Sequence, residues 1–108
     1  MTAQELTEAL NLEALCLPDP DREVRGGYAG DLLSWVMGNA QPDDVWVTIM
    51  SNNNVVAVAS LADTALVVLS ENVRPDPGVL ELAEQKDVNL ACSPESTFTL
   101  CARIAALL

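Results

Sequence analysis

The run richest in groups able to do chemistry is Asp21-Arg22-Glu23-Val24-Arg25-Gly26-Gly27, which sets two of the chain's five basic side chains beside a glycine pair. A guanidinium can grip phosphate or carboxylate through two parallel N–H bonds. The same two arginines also have Asp19, Asp21, Glu23 and Asp31 at hand for an ordinary surface ion-pair network. Residues 26–31, 51–54, 70–72 and 93–96 are rich in glycine, hydroxyl or amide groups. Singly, each is a cap or a turn. Converging at one end of a sheet, such loops hold a small anion with backbone N–H groups and helix N-termini, without needing Lys or Arg.

Groups for covalent catalysis are missing. There is no histidine, hence no Ser-His or Cys-His dyad, and the single lysine, Lys86, lies in no G-x-x-x-x-G-K phosphate loop. Cys16, Cys92 and Cys101 are an odd count with no C-x-x-C pair, so neither a disulfide framework nor a zinc site is expected. Their apolar neighbours make them small core residues of a reducing cytoplasm. Sixteen acidic side chains against five basic ones give a formal charge of −11, which excludes nucleic acid and anionic membrane as partners. The acidic start lacks the basic and apolar regions of an export signal, and residues 55–69 are interrupted by Ser60, Asp63 and Thr64. The expectation is a cytoplasmic protein without cofactor, metal or catalytic residues.

The elements that must position these loops can be read from spacing. Residues 4–12 carry Leu6, Ala9, Leu10 and Leu12 at helical intervals, with Thr2 as cap, and Pro18-Asp19-Pro20 marks a loop after them. Residues 23–29 read as strand with a special backbone position at the glycines. Residues 32–37 read as one or two helical turns capped by Asp31 and closed by Gly38-Asn39. Three apolar runs, 45–50, 65–70 and 88–92, read as strands. Residues 78–86 form an amphipathic helix after Pro75 and Pro77. The last helix opens with Ser93 as cap and Pro94 at its first position, and carries Phe98, Cys101, Ala105 and Leu108 on one side. Residues 54–61 suit strand by their valines and helix by their alanines. Parallel strands need a crossover of about a dozen residues, and that requirement selects helix. The resulting alternation predicts the α/β class: a single three-layer domain over residues 1–108, with a mostly parallel sheet flanked by helices. Trp35 and Trp46 are then core or interface anchors.

The stretch D-R-E-V-R-G-G-Y-A-G-D-L-L-S-W-V-M-G-N-A at 21–40, with D-V-W-V-T-I at 44–49 and N-V-V-A-V-A-S-L at 54–61, resembles the DRTGG domain family, in particular its small stand-alone members related to HPr serine kinase. The resemblance implies an α/β fold like the N-terminal domain of that kinase. It also implies a regulatory role with dimer contacts and, in some members, adenine-nucleotide regulation. It puts weight on Asp21, Gly26, Gly27, Asp31, Thr48 and Asn54. Two departures stand out: Glu23-Val24-Arg25 separates Asp21-Arg22 from the glycine pair, and Asn52 stands where a histidine is expected. The kinase's phosphate loop belongs to a separate domain, so the kinase activity implied by the label transfers least.

With the strand-end loops added, the expected ligand site is Gly26, Gly27, Asp31, Thr48, Asn52, Asn54 and Ser70. The expected function is a non-enzymatic regulatory or sensing module for a small anion such as an adenine nucleotide. The alternative is a protein-interaction adaptor for a metabolic or redox enzyme complex, its partner enzyme unidentified. A homodimer is expected because the apolar run 104–108, or residues 32–37, would otherwise stay partly wet.

Overall fold

A computed structural model describes all residues, 1–108. Five strands form one sheet in the order β1-β5-β4-β3-β2, where β1 is Glu13–Cys16, β2 Gly26–Ala29, β3 Asp44–Thr48, β4 Leu66–Leu69 and β5 Leu90–Cys92. The pairs β2–β3, β3–β4 and β4–β5 are parallel, and β1 runs antiparallel to β5 at one edge. The helices are α1 Ala3–Ala9, α2 Leu33–Asn39, α3 Asn54–Ala62, α4 Val79–Gln85 and α5 Thr97–Leu107.

Side-chain alternation along the central strands splits the core into two layers. Trp46, Val67, Leu69 and Leu90 pack with Val36, Val55, Val56, Val79 and Ala83, so α2, α3 and α4 cover one face. Val45, Val47, Leu66, Val68 and Ala91 pack with Leu6, Leu100 and Ile104, so α1 and α5 cover the other. Both faces are buried, which is why Val45-Trp46-Val47 of β3 and all of β4 are apolar without alternation. Trp46 is fully buried, and its Nε1–H donates to the Gly30 carbonyl at 2.9 Å, so its one polar atom is satisfied.

Several local expectations need correction. β1 is not among the strands the sequence predicts, because Glu-Ala-Leu-Cys carries no β-branched residue; pairing with β5 makes it a strand. Asp31 does not cap α2: Leu32 occupies the N-cap position with no side-chain bond, and the helix runs through Gly38 to Asn39. α5 starts at Thr97 rather than Pro94, with Ser96 as cap accepting the Thr99 N–H. Ser93 instead accepts the Glu95 N–H at 3.1 Å in the turn before it. The buried face of α5 is Leu100 and Ile104, while Phe98 is 85% exposed. The helix over residues 54–62 and the cap of α1 stand as expected, the latter as a full capping box in which Thr2 and Glu5 bond each other's backbone.

Candidate functional site: the crevice at the carboxyl ends of the strands

In an open α/β sheet, ligands settle beyond the carboxyl ends of the parallel strands. A crevice of about 330 Å³ lies there, lined by Gly30 and Asp31 after β2, Val47, Thr48 and Ile49 of β3 and its extension, Glu71 after β4, and Thr97 at the start of α5. That volume is at the small end of the ~300–1,000 Å³ typical of small-molecule clefts.

The walls are held from behind. Glu71 and Asn72 both have left-handed backbones, φ 60° and 61°, and their N–H groups donate to the Glu95 and Ser93 carbonyls at 2.8 and 3.1 Å. Those bonds tie the loop after β4 to the loop after β5. Ser70, fully buried, has its Oγ 2.6 Å from the Thr97 Oγ1. Thr48 is buried too; its hydroxyl accepts the Met50 N–H at 3.2 Å and keeps its own proton to donate.

The charge pattern of the crevice is one of acceptors. Asp31 and Glu71 are its charged walls. The Glu71 Oε2 already accepts the Thr97 N–H at 2.7 Å, and the Ser96 Oγ takes the Thr99 N–H, so the first turn of α5 is occupied by the protein's own oxygens. No cation balances them. Arg22 pairs with Asp43 and Asp63, Arg25 with Asp43, Arg74 with Glu13 and Arg103 with Glu95, while Lys86 caps the far end of α4. The arginines of the glycine-rich string are thus in ion pairs, though with Asp43 and Asp63 rather than the nearer acids.

The structure brings together only part of the expected site. Asp31 and Thr48 line the crevice, and Ser70 supports it from beneath. Asn52 and Asn54 lie at the head of α3, which packs on the opposite face from α5; there the Asn54 N–H donates to the Asn52 Oδ1 at 2.9 Å. Gly26 and Gly27 lie at the other end of the strands. Gly26 pairs with Asp44, four residues before Thr48, which is about 13 Å at the usual strand rise. A Cβ on Gly26 would sit 2.8 Å from the Asp44 Oδ1, so a side chain there must displace that carboxylate. Gly27 lines a different, apolar groove of about 270 Å³ between the β2 edge and α5. Sequence reasoning passes over Glu71 and Thr97 as individual residues; Glu71 lies within a loop it singles out and Thr97 directly borders another.

None of the three thiols is activated as a nucleophile. Burial, then the neighbouring Glu84 carboxylate, pushes the Cys16 thiol up to about 12. Burial also raises Cys92, against the pull of Arg74, and Cys101. No cluster of three or more His, Cys, Asp or Glu side chains is arranged to hold a metal, and no helix is long and apolar enough to cross a membrane.

A three-layer α/β module with a small ligand-sized crevice at the strand ends is the class of protein this geometry defines. The DRTGG domain family model matches residues 29–107, and the chain belongs to that family. The match begins after the glycine pair, leaving residues 21–27 outside it. Among solved structures, the fold is similar to the CBS and DRTGG domains of the regulatory region of a Clostridium perfringens pyrophosphatase, complexed with its activator diadenosine tetraphosphate. The TM-score is 0.74 at 14% identity, over 95% of this chain and 45% of that one. The chain therefore spans less than half the length of that relative. No curated protein matches it significantly.

Proposed function

We propose that this protein is a non-catalytic regulatory module that senses an adenine nucleotide at the carboxyl-end crevice, with the nucleoside entering first and the phosphates left towards solvent. The observation that carries this reading is the acceptor-lined crevice, where Asp31 and Glu71 suit the hydroxyls of a ribose and the exocyclic amine of a base. Phosphate has no cation to meet it there. Membership of the DRTGG family supports a regulatory role. The activator in the similar pyrophosphatase region supports a nucleotide as ligand.

Calorimetry with adenosine, 2′,3′-dideoxyadenosine, ATP and diadenosine tetraphosphate tests the reading. Adenosine should bind within tenfold of ATP, the dideoxy compound should bind at least tenfold more weakly, and Asp31→Asn should weaken adenosine. A ligand at 100 times its Kd should also raise stability by about 2.7 kcal/mol. No ATP should be turned over. If none of the four compounds binds, the adaptor reading replaces this one. That reading has its own support in the exposed Trp35 and Phe98, at 62% and 85%, which are surfaces for a protein partner.

A further inference from the structure

The sheet has two edges, and they are finished differently. At one, the register of β1 breaks between Ala14 and Cys16 and both terminal nitrogens of Arg74 hold Glu13, a broken ladder beside a charged pair that resists further pairing. At the other, β2 is Gly-Gly-Tyr-Ala in unbroken register with β3, with no proline and no charge. On β3, the Asp44 and Thr48 carbonyls accept from Ala65 and Ser70 on the β4 side, so Val45 and Val47 face β2. Gly27 stands opposite Val45 and Ala29 opposite Val47, whose carbonyl accepts the Gly30 N–H at 3.1 Å. In a parallel ladder such bonds go to the neighbours of the paired residue, here Gly26, Tyr28 and Gly30, so the N–H and C=O groups of Gly27 and Ala29 point out of the sheet. Both residues are exposed.

Those two residues are also the floor of the apolar groove of about 270 Å³ between this edge and α5. Its helix side is Ala105 and Leu108, both exposed, and Cys101, half-buried against the core. A hydrogen and a methyl group make a low floor, so the hollow holds none of β2's own side chains. A large aliphatic or aromatic side chain fits it. A second copy paired at this edge would bring to it only another Gly27 and Ala29, which leave it unfilled. The groove has no charged residue, but the body around it carries a formal charge of −11, and the exposed Asp31 lies just past the end of β2.

We propose that β2 is a docking edge for an extended basic segment of another protein, taken up as a sixth strand of the sheet. Its backbone pairs with the outward groups of Gly27 and Ala29, and one large apolar side chain seats in the groove above them. Lysine or arginine on the residues either side of that anchor meets the acidic body. Main-chain pairing supplies affinity, the seated side chain supplies selectivity, and opposite charge speeds the encounter and rejects acidic segments.

Calorimetry of the full chain, without nucleotide, against an acetylated peptide alternating lysine with valine and a central leucine tests this, read together with amide hydrogen exchange. The peptide should bind and protect the Gly27 and Ala29 amides. Exchanging its lysines for glutamates, its leucine for glycine, or methylating the backbone nitrogens that face β2 should each weaken binding by about tenfold or more. A Cβ on Gly27 meets Val45 at 3.4 Å, an ordinary contact, so Gly27→Val keeps the strand, fills the floor and should weaken the peptide likewise, with circular dichroism unchanged. Ala105→Arg should do the same from the helix side, whereas Ala102→Arg, the same charge at an exposed position outside the groove, should not. Failure of the lysine peptide to bind would overturn the proposal, as would binding indifferent to backbone methylation and to Gly27→Val. Protection of the Gly27 and Ala29 amides in the chain alone, rising with its concentration, would also overturn it by giving the edge to a second copy.

Discussion

Asn89 joins three segments through one amide. It is 3% exposed; its Oδ1 accepts the Asp19 N–H at 3.0 Å, and its Nδ2 donates to the Asp19 and Ala65 carbonyls at 2.7 and 2.8 Å. Replacing it with alanine leaves the buried Ala65 carbonyl without that partner and unties the Asp19 backbone, so Asn89→Ala should cost about 2 kcal/mol in urea denaturation, within the range for a buried group left unpaired. The thiols make a different prediction. All three are shifted upward by burial, so the thiolate fraction is suppressed at neutral pH. Iodoacetamide at pH 8 should therefore modify the native protein slowly and first at Cys101, the half-buried one, with Cys16 and Cys92 reacting only on unfolding. Rapid labelling of Cys16 in the folded protein would contradict the burial that sets its proton affinity.

At the level of elements, caps separate what local chemistry dictates from what packing imposes. Ser96→Ala should cost about 1 kcal/mol because its Oγ satisfies the Thr99 N–H at the head of α5. Asn54→Ala should stay within about 0.5 kcal/mol, because Asn54 is the first residue of α3 and makes no capping bond with its side chain. Equilibrium unfolding of the pair decides between local and tertiary control. The parallel strands and α4 were legible because apolar runs and breakers such as Pro75 and Pro77 act locally, whereas α3 was legible only because parallel strands need a crossover. β1 was not, since its strand state exists only through β5, at the other end of the sequence. The site was half legible for the same reason. The strand-end rule locates Asp31 and Thr48, but Gly26 and Gly27 share a loop with Asp31 in sequence and stand at the far end of β2 in space. One strand's length separates the two, and spacing alone does not reveal which end of the sheet a residue occupies.

For the whole molecule, the formal charge of −11 sets how conditions act. Repulsion among carboxylates is screened over about 8 Å at physiological salt, so adding sodium chloride should raise the urea midpoint. Acid works through specific carboxyls. The Thr2 backbone and hydroxyl hold the Glu5 carboxyl below its usual 4.5, and hydrogen bonding from Arg74 does the same for Glu13. A depressed carboxyl contributes stability that is complete above its unfolded pKa and is lost as pH falls through the folded one. The urea midpoint of Glu5→Gln and Glu13→Gln variants should therefore differ from the parent above about pH 4.5 and converge on it in stronger acid. A difference that persists at pH 2 would place their contribution elsewhere.

The pairing of Glu13 with Cys92 has a consequence for how the chain comes into being. The first strand is made early and its only neighbour in the sheet is made last. A nascent chain leaving the ribosome therefore carries residues 13–16 unpaired until β5 has cleared the exit tunnel, and α5 must follow before the face over β3 is sealed. Closing so long a loop costs entropy before any contact rewards it, which places folding among the slower, non-local cases. Residues 3–107 must all have left the tunnel before this domain can shield its own core, so the interval between synthesis and burial is when the half-made domain most needs a chaperone.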